Sequence, residues 1–195
     1  MPRGRRACAI VLSFICVVAR AADQPYGHGD ITLGAAYRTL ATTLDFRDLY
    51  AALADRSTRE TAKPDLGRRG YGCLRRDDAY ADVTCVSHDE KIGGAETREV
   101  RLQFLGGVLQ QFSITAEIRH FGTVMETLRE KYGEPERIEP AAAGGFVSYQ
   151  WRNGESSIVG YSGKDLIFVS FELASYQVAV KRRQEGLGQP ANECR

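Results

Sequence analysis

The groups in this chain that could do chemistry are three histidines, five cysteines and a few clusters of charge. His28, His88 and His120 lie far apart and form neither H-x-x-x-H nor H-E-x-x-H, so a metal site would need distant residues to converge. A small hydrolase using His88 or His120 with a carboxylate would need the same convergence. The chain has no Gly-x-Ser-x-Gly elbow, no phosphate-binding glycine loop and no cofactor motif. Asp77 and Asp78 are adjacent and lie in a polar stretch, where solvated turn charges are expected rather than a general acid.

The cysteines separate into two groups. Cys8 and Cys16 fall in an N-terminal segment with the pattern of an export signal. Arg3, Arg5 and Arg6 precede an apolar stretch from Ala7 to Ala19, and Ala19-Arg20-Ala21 offers the small-x-small pattern of a cleavage site after Ala21. The stretch is shorter than the roughly 18 residues of a spanning helix. Cys16 lacks the small residue expected just before a lipid-bearing cysteine, so no membrane anchor is expected. Arg5-Arg6 raises the twin-arginine route, but its surroundings fit general secretion better. The expected location is periplasmic or secreted, where Cys73, Cys85 and Cys194 meet an oxidising setting. Cys73 and Cys85 sit in strand-like surroundings joined by a polar stretch, which suits a disulfide between neighbouring strands. Cys194, one residue from the end, is left over, either free or paired elsewhere.

The loop between those cysteines is the candidate partner-binding site. Arg75, Arg76, Asp77, Asp78 and Tyr80 would put two guanidinium groups and an aromatic ring on a tethered tip. Arginine and tyrosine are enriched at protein-binding hot spots. Charge excludes a general nucleic-acid binder. The 195 residues carry 26 basic and 25 acidic side chains. Export would remove four arginines and no acid, leaving the mature chain mildly acidic.

The elements that must position these residues are legible from period and punctuation. Residues 22–30, with Pro25, Gly27 and Gly29, read as a flexible lead-in. Tyr37, Leu40, Ala41 and Leu44 mark a helix face, and Phe46, Leu49, Tyr50 and Leu53 repeat it out of phase. This predicts a broken helix or helix-turn-helix over Ala35–Leu53. Ala54–Gly70, with eight charges in 17 residues, reads as a loop. Strands are expected over Gly70–Leu74 and Ala81–Ser87, and Glu99–Leu105 alternates before Gly106-Gly107. A three-residue loop there, pairing Phe104 with Val108 and Val100 with Phe112, gathers the apolar residues on one side. Phe121, Val124, Leu128 and Tyr132 predict a helix stopped by Gly133 and Pro135. Asn153-Gly154 predicts a two-residue hairpin turn that pairs Trp151 with Ser156 and sets Arg152 opposite Glu155. Tyr149 and Trp151 are expected to pack against the Phe121 helix. Leu166–Leu173 is a further strand, and 176–195 reads as a C-terminal tail whose first part is ambiguous with a short helix.

The fold class is α+β, with antiparallel β meanders packed by helices. Residues 31–175 form one domain, in two tandem helix-plus-sheet half-repeats over about 31–115 and 116–173. Ile31-Thr32-Leu33-Gly34 before a helix, and Leu128-Arg129-Glu130-Lys131-Tyr132-Gly133-Glu134-Pro135 closing the next, resemble a group of small exported bacterial modules. These are similar to the β-lactamase-inhibitor-protein fold and to the small lipoprotein of the outer-membrane barrel assembly machinery. The resemblance implies helices packed on a short antiparallel sheet, sometimes in tandem, and a role in binding other proteins. The function expected is therefore a non-catalytic, exported protein-binding or envelope-accessory module, with another envelope protein as partner. The alternatives are the hydrolase above and a carrier of a small ligand or metal.

Overall fold

The computed structural model describes residues 24–48, 70–76, 78–139 and 147–187. The expected export segment, Asp77, Cys194 and most of the 54–70 loop lie outside these residues.

The described chain is α+β. Its elements are β1 (Gly27–His28), β2 (Ile31–Thr32), α1 (Tyr37–Thr43), β3 (Phe46–Asp48), β4 (Tyr71–Arg75), β5 (Val83–Ser87), β6 (Lys91–Ile92), β7 (Ala95–Leu105) and β8 (Val108–Glu117). A single 3-10 turn (Ile118–His120) leads into α2 (Phe121–Tyr132). Then come β9 (Arg137–Glu139), β10 (Val147–Arg152), β11 (Ser156–Ser162), β12 (Leu166–Leu173) and α3 (Tyr176–Leu187). The main sheet has the order β3-β4-β5-β7-β8-β12-β11-β10-β9, with β6 paired to β7. Its described neighbours are antiparallel except β3 and β4. One series of strands starts at the β3 edge and a second at the β9 edge, and they meet where β8 pairs with β12.

Period-two alternation makes one face of this sheet apolar. Val100, Leu102 and Phe104 of β7, Leu109, Phe112 and Ile114 of β8, and Ile167, Val169 and Phe171 of β12 are buried in one cluster. Leu40 of α1 and Val124, Met125 and Leu128 of α2 cover it. Trp151 is buried there and donates its ring N–H to Gly133 O at 2.9 Å, while Tyr149 meets Phe121 with ring centroids 5.8 Å apart. At the seam, Phe112 and Phe171 are register partners whose rings stack 4.2 Å apart.

Several elements differ from expectation, each for a local reason. The α1 helix stops at Thr43. Asp45 has φ 48°, and Phe46–Asp48 pairs in parallel with Tyr71–Cys73, so the start of the expected second helical repeat is a strand, and Leu49, Tyr50 and Leu53 lie outside the described residues. The 24–30 segment is not a free lead-in. It carries β1, which pairs with β2, and Tyr26 packs edge-on against Tyr132 at 4.8 Å. Gly27 O accepts hydrogen bonds from Lys131 Nζ and Tyr132 O–H. Of the expected C-terminal tail, Tyr176–Leu187 is a helix, the alternative that the sequence left open, and residues 188–195 lie outside the described residues.

The β7–β8 turn has two residues rather than three. Gly106 and Gly107 take φ 64° and 75°, the mirror-image turn that matches strand twist, and pair Phe104 with Leu109. A bulge then absorbs Gln110, so that Gln103 pairs with Gln111 and Leu102 with Phe112. The bulge resets the alternation and returns Phe112 and Ile114 to the apolar side, which a longer loop had seemed necessary to achieve. At β10–β11, Arg152 pairs with Ser157 and Trp151 with Ile158. Four residues separate Arg152 from Ser157 because the Asn153 carboxamide organises the turn. Its oxygen accepts from the backbone N–H groups of Glu155 (3.0 Å) and Ser156 (2.7 Å). Arg152 therefore does not face Glu155.

Candidate functional site

Cys73 and Cys85 are register partners on β4 and β5, both buried, and form a disulfide. Closing a loop of this size contributes about 3 kcal/mol on the chain-entropy view. Arg75 and Arg76 are exposed at the end of β4, and Asp77 lies outside the described residues. Asp78 is half-buried. Its carboxylate accepts from the backbone N–H groups of Tyr80 and Ala81, both at 2.9 Å, and shapes the turn. Tyr80 is 52% exposed.

The sequence did not show that α3 holds this loop. Ala79, Tyr176 and Val180 form a small buried cluster of their own. The Tyr176 hydroxyl donates to Tyr80 O at 3.1 Å, and Arg183 forms an ion pair with Asp82. Asp82 also accepts from Gly106 N–H at 2.6 Å. Burial pushes the Asp82 carboxyl upward, but the Arg183 and Gly106 hydrogen bonds and the Arg183 charge outweigh it and leave it below its ordinary value. Burial, with the nearby Glu172, Asp78 and Tyr80, pushes the Tyr176 hydroxyl up to about 12. Beside the loop's base lies a cleft of about 520 Å³ floored by Phe104, Val83 and Leu74, with Arg38 and Arg75 among its lining residues.

The face of the sheet opposite α1 and α2 presents a second arrangement. Register stacks its outward residues in rows across β11, β12 and β8. These are Ser157–Glu172–Gln111, Val159–Ser170–Ser113 and Tyr161–Phe168–Thr115. The small middle row leaves a trough of about 240 Å³, walled by Tyr161 and Phe168 at one end and by Glu172 and Gln111 at the other. Tyr161 and Phe168 are 42% and 39% exposed, and their ring centroids lie 6.5 Å apart. Glu172 is half-buried. Gln177 of α3 donates its amide to both carboxylate oxygens, at 3.0 and 3.1 Å, and Gln111 donates to one at 3.4 Å. Burial raises the Glu172 carboxyl above its ordinary value, against the Gln177 hydrogen bond. A signal for this site was present in the sequence. Phe168 is an aromatic residue in the outward phase of a strand whose inward phase, Ile167, Val169 and Phe171, is already apolar.

The histidines are engaged separately. A ring nitrogen of His28 hydrogen-bonds Lys91 O at 2.9 Å, one of His88 bonds Arg98 O, and His120 accepts from Arg119 Nε at 3.3 Å. Among the described residues, no three His, Cys, Asp or Glu side chains gather as a metal-binding group. No described helix is long and apolar enough to cross a membrane.

No protein-family model and no curated protein matches this chain. Among solved structures it is similar to a GTP-binding regulator from Thermotoga maritima, at 14% identity over 64% of this chain and 82% of that one, with a TM-score of 0.35. It is also similar to a DUF4309-family protein from Bacillus subtilis, at 14% identity over 51% and 68% of the two chains, with a TM-score of 0.32. Likeness at this level carries no argument about fold or function.

Proposed function

We propose that this chain is an exported, non-catalytic module that binds another protein of the cell envelope through the outer face of its sheet. The observation that carries the reading is the composition of that face. Across β11, β12 and β8 it offers Ser, Thr, Gln and Val with the Glu172 carboxylate and two exposed aromatic rings, Tyr161 and Phe168, beside the Arg101–Glu99 ion pair of β7, while α1 and α2 cover the other face. Rigid aromatic anchors among small hydrogen-bonding side chains give contact area at low entropic cost, the mixture that recognition surfaces use. The N-terminal export pattern and the buried Cys73–Cys85 disulfide support an oxidising compartment. The reading makes the α3-bound cysteine loop a neighbour of the surface rather than its centre.

A photo-cross-linking residue placed at Ser170, on the trough floor, tests this in intact cells. Discrete adducts from Ser170, with none from the same residue at exposed Glu130 on α2, are expected. Equal or absent labelling from the two positions would remove the reading.

A further inference from the structure

We propose that the trough on the outer sheet face is a socket for a lysine side chain of the partner protein, with Glu172 as its counter-charge. This rests on the reading that the outer face meets a protein and names the chemistry it selects. Each part of the socket follows from register. The Val159–Ser170–Ser113 row is low, so a slender side chain can lie across it between two taller rows. On one side stand Tyr161 and Phe168, whose rings can cover a methylene stem. On the other stands Glu172, four residues along β12 from Phe168, or about 13 Å from Cα to Cα at strand rise. A lysine whose Cα sits at the inner edge of the rings and whose stem extends across Ser170 directs its ammonium toward that carboxylate.

Two observations favour a cation, and lysine in particular. Glu172 is half-buried, and its hydrogen-bond partners are the neutral amides of Gln177 and Gln111. It belongs to no ion pair among the described residues. A carboxylate drawn partly out of water without a cation is a complementary site for one. The Gln177 amide already spans both oxygens, which occupies the edge a guanidinium fork would use for two parallel hydrogen bonds. An ammonium needs only one free lone pair and approaches as a point charge.

The test is a titration of the isotopically labelled protein, followed by amide chemical shifts, with three capped tripeptides Ala-X-Ala in which X is lysine, acetyl-lysine or arginine. A single stem-and-head contact binds in the millimolar range, so the peptides are taken to about 10 mM. The lysine peptide is expected to move the amides of Ser157, Phe168, Ser170 and Gln111. Acetyl-lysine should not, and arginine should bind more weakly. Glu172→Gln should weaken the lysine peptide about fivefold. Ser170→Lys, which fills the socket from within, should abolish its effect, and unshifted amides elsewhere confirm that both variants fold. Equal shifts from acetyl-lysine, tighter binding of arginine, or an unchanged response in Glu172→Gln would each overturn the assignment. If the Ser170 cross-links persist at full strength in Glu172→Gln, the lysine socket is wrong and the outer-face reading stands. If the cross-links never form, that reading fails whatever the peptides do.

Discussion

Gly133 shows how one residue fixes the end of a helix and the seat of the buried tryptophan. Its φ of 81° and ψ of −169° lie in a region essentially restricted to glycine. A Cβ there would meet nothing within 4 Å, so any cost of a side chain is backbone strain alone. Its N–H donates to Arg129 O at 2.8 Å and its carbonyl accepts from Trp151. Gly133→Val is therefore expected to destabilise the protein by about 2 kcal/mol. In a chain of this size that lowers the thermal midpoint by about 6 °C. The change should also be visible in Trp151 fluorescence. An unchanged midpoint would mean that this backbone conformation is not required. The sequence showed this position through Gly133-Glu134-Pro135. It did not show the register of the two hairpins, because the bulge at Gln110 adds a residue within β8 and the Asn153 carboxamide sets a longer turn, and each still leaves the apolar residues on one face. Register read from alternation alone is blind to such pairs of compensating changes.

At the scale of elements, the most legible were those whose partners are built into their own pattern, and the least legible were those that depend on distant ones. α2 and the strands β7, β8, β11 and β12 announce themselves by apolar period. β3 pairs in parallel with β4 from across a long connection, and α3 has few apolar residues, so neither is marked locally. What holds α3 is tertiary. Tyr176 and Val180 seat against Ala79, and Arg183 meets Asp82. The Asp82 carboxyl is held below its ordinary value in the folded protein, so its contribution is fully present above the usual aspartate range near pH 4 and is lost as pH falls through the lowered folded value. Asp82→Asn should remove that dependence. In the parent protein, deuterium uptake in α3 should rise relative to α2 as pH is lowered below about 4. In the variant it should already be raised at neutral pH and change little on acidification. Identical uptake in the two proteins across this range would show that α3 docks through its apolar contacts alone. The same helix supplies Gln177 to Glu172, so loosening it should also soften one end of the trough.

The whole molecule turns on the seam where the two strand series meet. Each series is preceded by a helix packed on the same apolar face, and the sequence reading divides the chain into halves over about 31–115 and 116–173. Whether those halves behave as units depends on what joins them. The β8–β12 pairing runs from Leu166–Glu117 to Glu172–Gln111, and the buried Phe112 and Phe171 rings stack across it. Tyr132 of α2 meets the same Phe171 ring at 6.2 Å. These contacts bury apolar surface that neither half could cover alone, so the described chain should unfold as one cooperative unit. Phe171→Ala removes a fully buried ring from the seam and should cost about 3–5 kcal/mol, a large share of the stability of an ordinary domain. The informative measurement follows each half separately in urea. Trp151 fluorescence reports the second series, and amide exchange in β5 reports the first. Coincident transitions that move together to lower urea in Phe171→Ala are expected, because the seam carries energy for both sides. A shift seen by Trp151 while β5 keeps its parent midpoint would show two independent repeats lying edge to edge. The trough would then belong to the boundary between two folding units, since β8 supplies Gln111 from one series and β11 and β12 supply the rest from the other.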